Sequence, residues 1–215
     1  MAESAGVLTI LFDVKDPFCH LALPPTEKLI DELGLEVDWQ PLLIPLSRQP
    51  DRPEETSDRG TTHRWIRAQY VESDLQRYAR AREIPASHFF DGGLHRTAEG
   101  AVTAMAVLWL KANAPERIRS FLNSVFNGYW DGDFSVDSIA DVSAIVGELQ
   151  LPAAALIEYL DTAGSAELAA QQSALREQGY FSVPGYVVGG EVFYGRAQLP
   201  MVRWQLTGQT GPPPI

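Results

Sequence analysis

The chain reads as an α/β fold in which a small sheet is interrupted by helices, and three features of the 215-residue sequence carry that reading. A strand–helix–strand pattern opens it, a long stretch of helical periodicity fills the middle, and a glycine-turn hairpin followed by a helix closes it.

Residues 7–14, VLTILFDV, are β-branched and aromatic with almost no polar break, the pattern of a strand buried on both faces. Asp16-Pro17 then supplies a side-chain acceptor at a helix N-cap and a proline at the first helical position, where its missing N–H costs nothing. This helix should run to about Leu33 and stop at Gly34, and Pro24-Pro25 predicts a break or restart inside it. Residues 36–44, EVDWQPLLI, alternate like a second strand, with Pro41 marking an edge or irregularity. From Pro45 to Thr61 the composition turns to Pro, Arg, Asp, Glu, Ser and Thr, a surface excursion. Apolar residues then recur at helical spacing through 62–82, 97–112, 116–129, 137–148, 152–161 and 164–178. The stretch AVTAMAVLWL is apolar all round and belongs in the middle of a bundle. Two apolar runs, Val183 to Val188 and Glu191 to Tyr194, flank Gly189-Gly190 and predict a hairpin with a primed turn. Residues 197–207 read as a last helix, and GPPPI as a short extended tail.

The order β-α-β, helical block, β-β-α describes a thioredoxin-type sheet with an inserted all-helical domain. The sheet domain is drawn from 1–46 and 179–215, and the insertion from 47–178.

Apolar residues at 45 % and charged residues at 21 % are ordinary for a chain that buries a core. A net charge of -11 argues against nucleic acid or an anionic membrane as partner, because affinity for polyanions comes from Lys and Arg. Arg59, Arg64, Arg67, Arg77, Arg80 and Arg82 reverse that sign locally, either as a solvated helix face or as a pocket for a small anion. The single cysteine, Cys19, leaves no intrachain disulfide and no multi-cysteine zinc site. The opening residues lack the basic segment of a signal peptide, and the longest apolar run is about half of the ~20 residues a membrane span needs. A soluble, cytoplasmic protein is expected.

The start of a helix that follows a strand is a place for reactive groups, since free N–H groups and the positive helix end stabilise an anion there. Here that place holds Asp16-Pro17-Phe18-Cys19-His20. The segment FDVKDPFCHLAL resembles the DsbA-like superfamily, and within it the branch of 2-hydroxychromene-2-carboxylate isomerases and kappa-class glutathione transferases, whose members carry Ser-Pro-Tyr-Ser-Tyr-Leu-Ala after a strand ending near Asp-Phe. Asp74-Leu75-Gln76-Arg77-Tyr78-Ala79 is similar to the family's D-x-x-R-x-A helix, and Val125-Phe126-Asn127-Gly128-Tyr129-Trp130 to another of its segments. Gly179-Tyr180-Phe181-Ser182-Val183-Pro184 resembles its G-v-F-G-V-P motif, followed by a matching hairpin. The resemblance covers nearly the whole chain.

It implies a cis peptide at Val183-Pro184 facing the helix start, with the Val183 backbone hydrogen-bonding a thiol peptide such as glutathione. The candidate ligand-binding residues are Pro17, Phe18, Arg67, Val183, Pro184 and Arg196, and the candidate catalytic residues are Asp16, Cys19 and His20. In the family's manner the function is that of a thiol- or glutathione-dependent oxidoreductase, transferase or isomerase acting on a small molecule. A homodimer is implied as well. The alternative is a thioredoxin-fold binding or scaffold protein whose catalysis has degenerated.

Two departures fall on the ligand side. Asp16 stands where the family has its working serine or cysteine, and Gly195-Arg196-Ala197-Gln198 stands where it has a G-x-D-R loop. An ionised Asp16 opposes an approaching thiolate, whereas as an N-cap it serves the helix alone. Cys19, at the place of a resolving cysteine, is either a working monothiol or a small buried residue whose pKa burial and Asp16 raise. Without a second cysteine it runs no intramolecular dithiol cycle. His20 is either an acid/base near neutrality or a satisfied or exposed histidine, and on a helix it points about 100° away from Cys19, so no metal trio is expected. Arg67 either meets a substrate carboxylate or the glycyl end of a thiol peptide, or pairs with Glu72 or Asp74. Trp39, Trp65 and Trp130 line an aromatic pocket or pack in the core, and His63, His88 and His95 are read as structural or surface residues.

Overall fold

The computed structural model describes residues 7–45, 52–54, 56–84 and 98–214. Strand β1 (Leu8–Phe12) leads through a short turn into helix α1 (Pro17–Leu33) and then β2 (Val37–Pro41), which lies parallel to β1 with Leu8 opposite Val37 and Phe12 opposite Pro41. Strand β3 (Gly185–Val188) pairs antiparallel with β1, Leu11 opposite Gly185, and carries β4 (Glu191–Tyr194) on its outer edge. The sheet order β2-β1-β3-β4 is the thioredoxin-type arrangement expected from the sequence. Gly189 and Gly190, at φ 58° and 85°, make the hairpin turn with both central residues in the left-handed region, as a primed turn requires.

Helix α1 corrects one expectation. It runs unbroken across Pro24 and Pro25. Each internal proline costs a helix about 3 kcal/mol or more. Both sit toward solvent, while Leu21, Leu23, Leu29 and Ile30 are buried, each contributing roughly 1.5–3 kcal/mol. Tertiary packing thus offsets the local defect, and the helix ends where Gly34 turns left-handed at φ 61°.

The remaining helices follow the expected order: α2 (Arg59–Ala81), α3 (Ala101–Asn113), α4 (Ile118–Asp131), α5 (Ile139–Glu148), α6 (Ala153–Tyr159), a π-helical turn at Leu160–Gly164, α7 (Ser165–Glu177) and α8 (Leu199–Leu206). In α3 residues 103–107, Trp109 and Leu110 are all buried, so the helix that is apolar all round lies inside. Helix α4 buries Ile118, Phe121, Leu122, Val125, Phe126, Tyr129 and Trp130, one face at three- and four-residue spacing.

The chain divides into two compact units, residues 1–44 with 98–215, and residues 45–97. This division differs from the inserted domain drawn at 47–178, because the helices after residue 98 are fastened to the sheet. Asp38 on β2 accepts from Lys111 of α3 at 2.6 Å, and Gln40 accepts from Gln171 of α7 at 3.0 Å. Gln171 and the buried Gln172 both donate to the Pro41 carbonyl, and Gln172 accepts from the Leu43 N–H. The second unit is described by α2, capped by Asp58, whose carboxylate accepts from the Thr61 N–H at 3.0 Å.

Candidate functional site

Strands β1 and β2 end together, and β3 begins beside them. Because Leu11 lies opposite Gly185, Val183 and Pro184 reach the same end of the sheet as the turn from Asp13 to Asp16 that leads into α1. Ligand sites in open α/β sheets form at the carboxyl ends of parallel strands, which is this end. The Val183–Pro184 peptide bond is cis, the isomer the family pattern implies, and both residues are buried. The Pro184 carbonyl accepts from the Gly195 N–H at 2.7 Å. The turn that follows, Arg196–Gln198, packs on α1 with Arg196 half-buried.

Asp16 is the N-cap of α1, with φ -86° and ψ 121°, and its carboxylate accepts from the Cys19 N–H at 2.9 Å. Burial pushes its pKa up to about 7; the Cys19 N–H pulls the other way and the nearby Asp13 charge adds to the rise. At neutral pH the carboxyl is therefore shared between its protonated and ionised forms. Pro17 and Phe18 follow it, both half-buried.

Cys19 lies one turn into the helix at 4 % exposure, its Sγ accepting from the Asp13 N–H at 3.5 Å. Burial first, and then the Asp16 charge, raise the thiol well above its ordinary range, so near neutrality it stays a thiol and not a nucleophilic thiolate. His20 stacks on Trp130 at 5.6 Å and 22° and on Phe126 at 6.1 Å and 20°. Burial lowers its pKa to about 4 against the pull of Asp131. The expectation of an acid/base histidine near neutrality is corrected: the ring is uncharged there and packs as an aromatic layer between α1 and α4.

The sequence reading passed over a buried ion pair. Lys15 and Asp13, 3 % and 2 % exposed, bond directly to one another. The Lys15 ammonium also donates to the Ile44 carbonyl at 3.0 Å, and the Ile44 N–H donates to Asp13 Oδ2 at 2.9 Å. Burial raises the Asp13 pKa while Lys15 holds it down. From the other side the Trp130 indole N–H donates to the Val14 carbonyl at 3.0 Å. The turn that presents Asp16 is thus held by an ion pair and an indole hydrogen bond. Two opposite charges spaced by one residue at a strand exit were the only local signal.

Arg67 is exposed on α2 of the second unit, and Asp74, one of its expected partners, pairs with Arg77 at 2.8 Å instead. Trp39 packs edge-on against Phe12 at 5.9 Å in the core, and Trp130 is buried. His63 is exposed, and Trp65 is half-buried on the same helix, while His88 and His95 lie outside the described residues. Among the described residues no cluster of three or more His, Cys, Asp or Glu side chains is arranged to hold a metal ion. No helix among them is long and apolar enough to cross a membrane.

A thioredoxin-type sheet with a cis-proline beside the start of its first helix defines the class, and comparison with known proteins agrees. The DSBA-like thioredoxin domain model matches residues 7–207, and the chain belongs to that family. Its fold is similar to that of a 2-hydroxychromene-2-carboxylate isomerase, at TM-score 0.69 and 20% identity over 95% of this chain and 96% of that one. It is also similar to a probable DsbA oxidoreductase from Streptomyces coelicolor, at TM-score 0.65 and 18% identity over 97% and 93% of the two chains. The cytosolic disulfide reductase DsbM from Pseudomonas aeruginosa, solved with GSH, superposes at TM-score 0.60 and 17% identity over 95% and 94%. No curated protein matches the chain.

Proposed function

We propose that this protein is an isomerase-like enzyme of the family, binding a small molecule and a thiol compound, glutathione, at the start of α1, and moving protons through Asp16. The observation that carries the reading is the place of the Asp16 carboxyl, a half-buried helix cap at the sheet end that also carries the cis Val183–Pro184 bond, where burial raising its pKa to about 7 suits proton transfer near neutrality. Cys19 contributes packing and not nucleophilic attack, since its thiol is buried and held protonated. Glutathione fits the protonated form of Asp16, whose O–H can donate to sulfur as a serine hydroxyl would, with the Val183 backbone as the second contact and Arg196 in the turn that packs against α1. Binding should therefore tighten between pH 8 and pH 6, the direction in which Asp16 takes up its proton.

Calorimetric titration with reduced and oxidised glutathione tests this at both pH values. Saturable binding, stronger at pH 6 and lost in a folded Pro184→Ala variant, supports it; absence of heat at millimolar ligand overturns the glutathione part. Unchanged turnover in Asp16→Ala overturns the proton-transfer part.

A second reading, a non-catalytic binding protein, is favoured by the burial of Cys19. Cys19 is expected to resist thiol reagents until denaturant is added. Fast labelling of the native protein with a depressed apparent pKa would reverse that expectation and restore thiol chemistry. The remaining parts of the proposal are a cytoplasmic location, a homodimer, and no nucleic-acid or membrane partner. The single cysteine, the charge of -11 and the similarity to a cytosolic disulfide reductase support the location and the excluded partners, and the homodimer rests on the family resemblance alone.

A further inference from the structure

A cavity of about 330 Å³ opens along α7, and its Leu43 and Ala101 wall adjoins the Asp13–Lys15 turn that leads into α1. Its α7 wall is formed by Ser165, Leu168, Ala169, Gln172 and Arg176. That spacing is one helix face running for three turns, about 16 Å at 1.5 Å per residue. The opposite wall is Leu43, just beyond β2, with Ala101 and Met105 of α3. The cavity is thus an elongated trough, and the two alanines leave the space that larger side chains would fill.

Its two polar groups toward the C-terminal end of α7 are unlike. The Gln172 amide donates to the Pro41 carbonyl and to Gln171 and accepts from the Leu43 N–H, so it is occupied in holding β2. Arg176 is exposed, and among the described residues it makes no ion pair. The acids of its own helix are directed elsewhere: Glu177 accepts from the Ser173 hydroxyl at 3.1 Å, and Glu167 from the Tyr159 hydroxyl at 2.8 Å. In a chain of net charge -11, an arginine with no carboxylate partner among the described residues, at the end of a trough of mixed apolar and polar lining, is a cation available to a ligand.

We propose that the trough is a second binding site, for a monocarboxylic acid with an elongated apolar body. Arg176 receives the carboxylate in bidentate geometry, and the body lies on Ala101, Met105, Leu168 and Ala169. A carboxylate with no apolar body, or an apolar body with no carboxylate, satisfies only one half of the site. The inference does not rest on the reading of Asp16.

Calorimetric titration with octanoate, octanol and acetate tests it on the whole chain. Octanoate should saturate at one site, with octanol and acetate each weaker by about tenfold or more. Arg176→Gln, a change at an exposed position, should weaken octanoate by a similar factor and leave octanol unchanged. Ala169→Leu, which fills the trough, should abolish binding of both, and if that variant fails to fold the Arg176→Gln result decides. Absence of saturation, octanol binding as tightly as octanoate, or octanoate binding indifferent to Arg176→Gln would each overturn the proposal. Binding that falls only in Asp16→Asn would assign the probe to the α1 site and overturn it too.

Discussion

At the start of α1 the Asp13–Lys15 pair closes on itself out of water, and Asp16, half-buried beside it, accepts from the Cys19 N–H in place of a cation. Farther along the same helix the charges are wet. Arg119 of α4 reaches Glu27 at 2.9 Å and Asp31 at 2.8 Å, and Asn123 donates to the same Glu27 at 2.6 Å. The residue types are alike and the physics differs. Where water is excluded, an unbalanced charge changes proton affinity and stability strongly; where water remains, the same pairing is screened and orients helices only weakly.

Three changes test that contrast, in falling order of effect. Lys15→Met strands the Asp13 carboxylate in the interior, and loss of one partner of a buried pair costs about 3–5 kcal/mol in urea unfolding. The double variant Asp13→Asn, Lys15→Met should recover most of that loss. Equal instability of single and double variants would mean that the pair does not behave as a buried one.

The second effect depends on pH. Native Asp16 holds its proton to about pH 7, against 3.8 in the unfolded chain, so the native state binds more protons across that window and the wild type loses stability as pH rises through it. Asp16→Asn lacks this loss. Its stability relative to wild type should climb from pH 4 to pH 7, with a slope of at most about 1.4 kcal/mol per pH unit. His20 acts in the opposite sense, because its lowered pKa makes the native state gain stability from about pH 4 to 6.5. The wild-type curve mixes both slopes, so the variant-minus-wild-type difference is the quantity to read. A flat difference would return Asp16 to plain helix capping. The smallest effect is expected for Arg119→Ala, a slight drop in the urea midpoint that disappears at high salt.

What the sequence disclosed follows the range of the interactions. The Asp16 cap, the Gly34 stop and the Gly189-Gly190 hairpin are made by residues within a few positions of one another, and the structure has each where the chain suggested. The ordered motifs, too, identified the family: two lie at the β1–α1 turn and before β3, and two inside α2 and α4. The Asp13–Lys15 pair was not legible, since it closes only when Ile44 returns along β2. The unbroken α1 was not legible either, as Pro24 and Pro25 speak for themselves while the burial that overrides them comes from the rest of the fold. For His20 the sequence offered a titratable group. Its neutrality comes from Phe126 and Trp130, a hundred residues downstream.

The register of β1 also governs the order in which the fold can be completed. Thr9 pairs with Val187, so one edge of β1 waits for a strand that lies far later in the sequence. Until then β1 has only β2 beside it, and its second edge is a free template for pairing with another chain. Helices α3 to α7, with short-range contacts, can form while that edge stands open. Assembly of this fold is thus gated at the β3–β4 hairpin: a ribosome stalled before β3 should leave an aggregation-prone chain whose helices have formed but whose site has no Val183–Pro184 side.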